Sequence, residues 1–158
     1  MTRFTNKTPS WFQHQRIGVI LIASAIALYI AAPAFGDDLE PGKPVKSIYW
    51  SDADSGRVNG EPFRLHGVDA PETGGVGARG GAKCEPERVL GYNAKGWMVE
   101  TTREANMAVT AVYGRDQYGR WVIDLSHNRR DLAKIAVVSG HLRDWDYDGG
   151  EDKPDWCK

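Results

Sequence analysis

One uncharged, mostly apolar run determines which part of this chain can build a globular core: residues 17–34, IGVILIASAIALYIAAPA. The residues before it include Arg3, Lys7 and Arg16 and no acid. A positively charged start followed by an apolar stretch is typical of an export signal. We therefore expect the folded domain to lie after residue 34.

Two fates are open to this N-terminal segment. Ala32-Pro33-Ala34 fits the small-x-small pattern of a cleavage site, which predicts a removed signal peptide at residues 1–34. The apolar run also has 18 residues, enough for a helix that crosses the bilayer and stays as a membrane anchor. Because the positive flank stays in the cytoplasm in either case, residues 35–158 are predicted to be exported, to the periplasm or outside the cell.

The exported part is predicted to be mildly acidic. Without residues 1–34, 17 Lys and Arg face 21 Asp and Glu, a net charge of about −4. Six of the acids lie in residues 144–155, whereas residues 35–143 hold 15 basic and 15 acidic residues. This balance disfavours a protein that grips long nucleic acid through a broad basic surface, but it allows a local basic cleft.

The only two cysteines, Cys84 and Cys157, both lie in the exported part, where disulfides form and persist. We expect one disulfide, which would tie the C-terminus to the domain; two free thiols are the alternative. Their spacing excludes a CxxC redox motif and a zinc site built on one.

Three segments follow from the distribution of prolines, charges and apolar residues. Pro41 and Pro44 lie among charges, which predicts a linker over residues 35–46. Residues 47–143 carry the periodic patterns of one domain, and residues 144–158 form an acidic C-terminal tail, predicted to be disulfide-linked to the domain.

The patterns within the domain favour short strands interrupted by helices. Apolar and alternating runs predict strands near Ile48–Trp50 and Phe63–Leu65, with Asn59-Gly60 as a hairpin turn, and further strands over residues 107–113 and 120–125. We predict an α+β fold, mostly β: a small Greek-key barrel of the OB type with two or three helices.

Two segments predict helices. Residues 86–105 place Leu90 and Met98 on one inward stripe, together with Ala94 and Trp97. A second helix is expected to start at an Asn128 cap and to end at Gly140.

The segment FRLHGVDAPE brings an arginine and two carboxylates close in sequence. In a straight strand Arg64 and Asp69 would face opposite ways, because their separation is odd. Gly67 permits a bulge, which would turn both side chains to the same side. We therefore expect Arg64, Asp69 and Glu72 to share a site.

A second acidic pair, Asp52 and Asp54, has both side chains on one face if that segment is extended. Carboxylates from two strands and a backbone carbonyl are ligands that a hard cation such as calcium prefers. Arg120, after a Tyr118-Gly119 turn, would suit phosphate oxygens.

Three motifs, taken in this order, resemble the staphylococcal-nuclease-like, or thermonuclease, family. They are DADS at residues 52–55, where the family usually has DGDT, RLHGVDAPE at residues 64–72 and DQYGR at residues 116–120. The resemblance covers roughly residues 48–142. It implies an OB-type barrel with helices and a calcium-dependent nuclease that cleaves DNA and RNA phosphodiesters and leaves 3′-phosphate ends.

The resemblance also implies a role for each matching residue. Asp54 and Asp69 would supply side-chain ligands to calcium, and Ala70 would supply its backbone carbonyl. Ala53 stands where the family usually has glycine, and it would be strained if this position needed a positive φ.

The remaining implied roles concern the reaction itself. Glu72 would be the general base for the attacking water, and Arg64 and Arg120 would hold the phosphate and offset charge as the five-coordinate phosphorus forms. Tyr118 would lie near the bound nucleotide.

The acidic tail offers a second calcium hypothesis. Asp144, Asp146, Asp148, Gly149 and Asp155 have the 1, 3, 5, 6 and 12 spacing of an EF-hand-type loop. A plain solvated acidic tail is the alternative.

Together these residues predict an exported, calcium-dependent nuclease, active as a monomer on nucleic acid and without an obligate protein partner. One alternative is a catalytically weak OB-type module that binds nucleic acid or protein in the cell envelope. Another is a membrane-tethered envelope protein with a structural calcium site. The presence of every charged motif residue favours the nuclease.

Overall fold

A two-residue turn at Asn59-Gly60 joins the first long hairpin of the fold. Both residues have a positive φ, 52° and 89°, as a type I′ turn requires. They connect strands β2 (Ser55–Val58) and β3 (Glu61–Leu65) in antiparallel register, as the sequence predicts. The computed structural model describes residues 39–158, so the predicted signal peptide or anchor lies outside the described residues.

The remaining described strands build a main sheet and a small second sheet. They are β1 (Ile48–Trp50), β4 (Val68–Asp69), β5 (Met107–Arg115), β6 (Trp121–His127), β7 (Arg130–Asp131) and β8 (Arg143–Asp144). The main sheet has the order β1-β2-β3-β6-β5, with β7 added to β6. The pair β3–β6 is parallel, and the other pairs are antiparallel.

The predicted α+β class, mostly strand, is confirmed, but the described strands do not close into a barrel. β1 and β5 are the two ends of the main sheet, and no pairing of described strands joins them. The turn at His66-Gly67 takes the chain out of this sheet, so β4 pairs with β8 instead of extending β3.

The core is formed by both helices and the centre of the main sheet. Its fully buried members include Phe63 and Leu65 of β3 and Ile123 and Leu125 of β6, together with Met98, Leu132 and Ala136 from the helices. The strands that carry the candidate motif residues are therefore supported from one continuous apolar cluster.

The first helix, α1 (Glu85–Thr102), begins close to the predicted position and ends three residues earlier. The predicted inward stripe was wrong at Leu90, which is 42% exposed. The buried residues of α1 are Glu87, Gly91, Ala94, Met98 and Thr102. This face contains small and polar residues, which a search for apolar periodicity does not detect.

The second helix, α2 (Leu132–Val138), begins later than predicted. Asp131 is its cap and accepts a hydrogen bond of 3.1 Å from the Lys134 N–H. The predicted cap, Asn128, lies instead in the turn between β6 and β7, with a φ of 50°. The short strand β7 occupies the residues between that turn and the helix, and Gly140 follows the helix end as predicted.

Part of the predicted linker belongs to the folded domain. Gly42 and Val45 donate backbone hydrogen bonds to the carbonyl oxygens of Val109 and Met107, at 2.8 and 2.9 Å. Leu39 is buried in the core cluster. The edge strand β5 satisfies these backbone groups, and this pairing partner is not visible in the local sequence.

The C-terminal tail is attached to the domain by a disulfide and by packing. Cys84, the residue that precedes α1, is bonded to Cys157. The neighbouring Trp156 is buried, and β8 pairs with β4 at the start of the tail. Neither described helix has the length and hydropathy of a membrane span.

Replacing both cysteines with serine should lower the free energy of unfolding by about 4 kcal/mol, because the bridge closes a long loop with a sequence separation of 73. Urea unfolding of the protein and of the Cys84→Ser/Cys157→Ser variant measures the difference. A loss below about 1 kcal/mol would show that the tail does not depend on this constraint.

Candidate functional site

Arg64, near the end of β3, lies at the centre of a cluster of charged side chains. Its Nη2 lies 3.5 Å from Asp54 Oδ2 and 3.8 Å from Asp69 Oδ1, and it donates a hydrogen bond of 3.2 Å to the Val68 carbonyl oxygen. Gly67 has a φ of 71° and makes a tight turn where the sequence predicts a bulge. The turn has the expected result, because it brings Arg64 and Asp69 together.

Two carboxylates of this cluster, Asp54 and Asp69, are buried, and Asp69 is only 1% exposed. Burial raises the pKa of Asp69, although the Trp156 indole N–H, 2.8 Å from Oδ2, and the Lys153 ammonium act to lower it. Burial also raises the pKa of Asp54 against the opposing charge of Arg64. The cations of the chain therefore offset only part of the cost of burying these carboxylates.

Lys153, in the C-terminal tail, extends into the same cluster. Its Nζ lies 2.6 Å from Glu72 Oε1 and 3.4 Å from Asp69 Oδ1. Burial acts to lower the pKa of Lys153, but its hydrogen bonds and ion pairs with Glu72 and Asp69 outweigh burial and leave the pKa raised. Lys153 is therefore a charged link between the predicted general base and a predicted metal ligand.

The helix α1 holds the backbone of Glu72 in place. The buried carboxylate of Glu87 accepts hydrogen bonds from the Lys83 N–H at 2.6 Å and from the Glu72 N–H at 3.5 Å. Gly91 lies so close that a Cβ added to it would be 2.5 Å from the Glu72 carbonyl oxygen. The position of the predicted base thus depends on close packing between α1 and the segment after β4.

Arg120 is held by an acid from its own turn. Asp116 Oδ2 lies 2.8 Å from Arg120 Nε and 2.7 Å from Nη2, and Asp116 Oδ1 accepts the backbone N–H groups of Tyr118 and Arg120. The Arg120 guanidinium lies 5.4 Å from the centre of the Tyr118 ring, and Tyr118 is 75% exposed. The turn therefore orients the guanidinium and leaves the aromatic ring open to a ligand.

The predicted site residues divide between the cluster and an adjoining cavity of about 800 Å³. Arg64, Arg120 and Tyr118 line the cavity, so Arg64 belongs to both. The predicted metal ligands and base are not among the lining residues: Asp54, Asp69, Ala70 and Glu72. The structure brings the two predicted phosphate ligands, Arg64 and Arg120, to one cavity. Two of the carboxylates, Asp54 and Asp69, contact Arg64 in its wall, whereas Glu72 contacts Lys153.

The walls of the cavity differ in charge. Arg64, Arg115 and Arg120 contribute guanidinium groups, and Trp145 packs its ring 4.8 Å from the Arg64 guanidinium carbon. The acidic side chains that line it are Asp116, Asp144, Asp146, Asp148 and Glu151. Guanidinium groups beside aromatic faces suit a ligand with both phosphate and a base, whereas the acidic residues disfavour strong binding of a long phosphate backbone.

The residues predicted to bind calcium have a suitable chemistry. Asp54 and Asp69, with the backbone carbonyl of the buried Ala70, offer only hard oxygen donors. The two carboxylates keep raised pKa values because of their burial, so an additional cation would be stabilised beside them. The ammonium group of Lys153, 3.4 Å from Asp69 Oδ1, is a cation already beside one of these ligands.

The acids of the predicted second calcium loop do not converge on one point in this structure. Within residues 39–158, the one group of three metal-type side chains whose ligand atoms lie within 4.8 Å is Cys84, Glu87 and Cys157, and its two sulfurs are joined to each other. Asp146 of the tail turns back and accepts a hydrogen bond of 2.7 Å from the Gly149 N–H. The spacing of the tail acids therefore does not make them converge.

Ala53 introduces no backbone strain. Apart from glycines, the described residues with a positive φ are Asn59, Asn128 and Arg129. Ala53 is fully buried in the core cluster. Its methyl group packs in the core, so alanine is accommodated at this position without strain.

Comparison of the chain with models of protein families and with curated protein sequences gave no match. The resemblance stated above therefore depends on the three short motifs. The convergence of their side chains on Arg64 and on one cavity is a separate, physical observation.

Three residues of the cluster were missed by sequence reasoning: Lys153, Trp156 and Glu87. Lys153 lies 81 residues after Glu72, and Trp156 lies 87 residues after Asp69, in a tail whose composition suggests only solvation. One signal was available. The predicted Cys84–Cys157 bridge connects the end of the tail to a residue 12 positions after Glu72.

Gly91→Ala should destabilise the protein by about 1–3 kcal/mol and displace Glu72, because the added methyl group would overlap the Glu72 carbonyl. Gly96→Ala is the matched control in the same helix, since an added Cβ there meets no atom within 4 Å. That control should be neutral or stabilise by about 0.5–1 kcal/mol. Urea unfolding compares them, and equal effects of the two substitutions would contradict the close packing.

Asp54→Asn should raise the melting temperature of the calcium-free protein at about pH 7. Burial raises the folded-state pKa of Asp54 above its ordinary value of 3.8. At low pH, where this carboxyl is protonated, the folded protein is therefore more stable than it is with the carboxylate ionised. That stability is lost as pH rises from the unfolded pKa through the higher folded pKa, whereas asparagine stays neutral. Thermal unfolding in chelator from about pH 4 to 8 measures the change.

Asp116→Asn is the opposite case. Burial acts to raise the pKa of Asp116, but hydrogen bonds from Arg120 and Tyr118 outweigh it, and the pKa is lowered. The ionised Asp116 carboxylate stabilises the folded protein at pH values above the pKa that it has in the unfolded chain, and this stabilisation is lost as pH falls through its lower pKa in the folded protein. The substitution should therefore lower the melting temperature at neutral pH. A change of the same sign in Asp54→Asn and Asp116→Asn would contradict the opposite pKa shifts of these two carboxylates.

Proposed function

We propose that this protein is an exported, calcium-dependent nuclease of the staphylococcal-nuclease-like kind, which hydrolyses phosphodiester bonds of DNA or RNA and leaves 3′-phosphate ends. The observation that carries the proposal is the convergence at Arg64. This guanidinium contacts the two predicted carboxylate ligands, Asp54 and Asp69, and also lines the cavity that holds Arg120 and Tyr118.

The proposal extends to the fold class and to the location of the protein. The antiparallel order β1-β2-β3, and the crossover that brings β6 beside β3, support an opened form of an OB-type barrel. The Cys84–Cys157 disulfide is compatible with an oxidising compartment and so with export. We infer that the protein acts as a monomer on nucleic acid.

The arginines bind and orient the phosphate in this mechanism. Arg64 and Arg120 point into one cavity, and each is already oriented by a carboxylate: Arg64 by Asp54 and Asp69, and Arg120 by Asp116. Guanidinium groups fixed before substrate arrives offset negative charge as it develops on the phosphoryl oxygens. Tyr118 offers its exposed ring to a base beside the phosphate.

Glu72 acts as the general base. Its carboxylate accepts a proton from a water molecule whose oxygen forms the new bond to phosphorus. The bond from phosphorus to the 5′ oxygen breaks, and this oxygen takes a proton from solvent and leaves as a hydroxyl group. Asp54, Asp69 and the Ala70 carbonyl would hold calcium, which would supply Lewis acidity toward a phosphoryl oxygen. The contact with Glu87 and the packing on Gly91 keep Glu72 at the edge of this cluster.

A specific observation favours the alternative, a module that binds nucleic acid or protein without cutting it. The carboxylate of Glu72 is ion-paired with Lys153 at 2.6 Å, and a base held in this way is not free to take a proton from water. The acidic residues of the tail also line the cavity. Calcium-dependent cleavage decides between the two functions.

The protein, with its disulfide intact, should cleave single-stranded DNA or RNA in calcium and lose this activity in chelator. Glu72→Gln should lower turnover at least about 100-fold with the fold retained, because it removes the general base. Arg64→Ala should lower turnover by a similar factor, since it removes a fixed charge from the transition state. Rates are measured on short oligonucleotides with the product ends identified.

Arg57→Ala is the control for Arg64→Ala. Arg57 is an exposed arginine on the adjacent strand β2, and it donates to the Gly60 carbonyl oxygen outside the cluster. Its removal should leave turnover within about twofold of the unmodified protein. Activity of Glu72→Gln within a few-fold of the unmodified protein would refute the base assignment. No cleavage by folded, calcium-bound protein would favour the binding module.

A further inference from the structure

We propose that the ammonium group of Lys153 occupies the cation position of the carboxylate cluster when calcium is absent, and that calcium binds there by displacing it. The inference rests on the proposed function, because it concerns the same site. By this inference Lys153, a residue of the C-terminal tail, controls calcium binding. It also determines whether Glu72 can accept a proton from water.

The ammonium group of Lys153 contacts both a proposed metal ligand and the proposed general base. Its Nζ lies 3.4 Å from Asp69 Oδ1, an oxygen of a proposed metal ligand, and 2.6 Å from Glu72 Oε1 of the proposed base. A cation that binds Asp69 competes directly with this ammonium group. Once Lys153 leaves Asp69, only one of its two ion pairs remains, the one with Glu72 Oε1. The ammonium group is then held less firmly beside Glu72.

The contacts of one oxygen favour exchange over joint occupancy. Lys153 Nζ lies 3.4 Å from Asp69 Oδ1, and Arg64 Nη2 lies 3.8 Å from the same oxygen. Calcium bound to this oxygen would lie beside both cations, and like charges at such distances repel. Lys153 carries its charge on a flexible stem, so it is the cation that calcium displaces.

The backbone on both sides of Lys153 is fixed. The Glu151 carbonyl oxygen accepts a hydrogen bond of 2.9 Å from Trp145 Nε1, and the Asp155 carbonyl oxygen accepts one of 2.6 Å from Arg143 Nη1. The adjoining Trp156 is buried and is followed by the disulfide. The tail therefore keeps Lys153 beside the cluster in either state.

The side chain itself is free to leave. It is 34% exposed, so a path to solvent is open, and its four-carbon stem is flexible. Displacement therefore needs rotation of one side chain and no movement of the tail. This geometry makes Lys153 an exchangeable cation and Glu72 a base that becomes available when calcium binds.

Calcium titration by calorimetry tests the inference on the full-length protein with its disulfide formed. Lys153→Met should bind calcium at least about tenfold more tightly, the factor expected if Lys153 holds the site in about nine of ten molecules. Lys134→Met is the matched control. Lys134 is 83% exposed on α2, and its ammonium pairs with Asp131 outside the cluster, so its removal should leave the affinity unchanged. Equal or weaker affinity of folded Lys153→Met would overturn the inference.

Acylation of lysine amines, followed by mass spectrometry, tests it without a substitution. Calcium should raise the labelling rate of Lys153 several-fold and leave that of Lys134 unchanged, because only the first is released to solvent. An unchanged or lower rate at Lys153 would overturn the inference even if the Lys153→Met variant failed to fold.

The oligonucleotide assay keeps this inference separate from the proposed function. Tighter calcium binding by Lys153→Met without any cleavage would support the exchange and refute the nuclease. Calcium-dependent cleavage with unchanged affinity in Lys153→Met would support the nuclease and refute the exchange. Absence of calcium binding in both proteins would refute the exchange.

Discussion

The burial of Asp69 is the constraint on which the rest of the molecule depends. A carboxylate with 1% of its surface exposed is costly to ionise unless donors and cations surround it. Arg64 approaches Asp69 from β3, while Trp156 and Lys153 approach from the C-terminal tail. Two separate parts of the chain, β3 and the C-terminal tail, must therefore be in place before this carboxylate is stabilised.

That requirement explains why the tail is attached so firmly. The disulfide from Cys84 to Cys157 brings the buried Trp156 to the site, and the same Cys84 precedes the helix whose Glu87 and Gly91 hold the backbone of Glu72. The stability of the fold and the geometry of the candidate site are thus coupled at one place. A change that loosens the tail removes partners from the carboxylates, and a change in α1 moves Glu72, the proposed base.

The sequence predicted the parts of the fold and site that depend on neighbouring residues. The Asn59-Gly60 hairpin, the first helix and the meeting of Arg64 with Asp69 follow from local turn chemistry and periodicity. The open sheet does not follow from local patterns, because β4 pairs with β8 and not with a strand of the main sheet. The two strands are distant in sequence: Asp144 of β8 lies 75 residues after Asp69 of β4. The exposed position of Leu90 depends on which face of α1 meets the segment after β4, and that choice is made by Gly91.

By itself the sequence determined the set of charged residues at Asp54, Arg64 and Asp69 and the oxygens that suit calcium, because the short motifs fix which side chains occupy one turn and one strand end. Only the tertiary structure decided that Lys153 lies between Asp69 and Glu72. The physical reason is that a side chain from the tail reaches the cluster through long-range packing and a disulfide, and neither the composition nor the spacing of the tail encodes which carboxylate its ammonium group will meet.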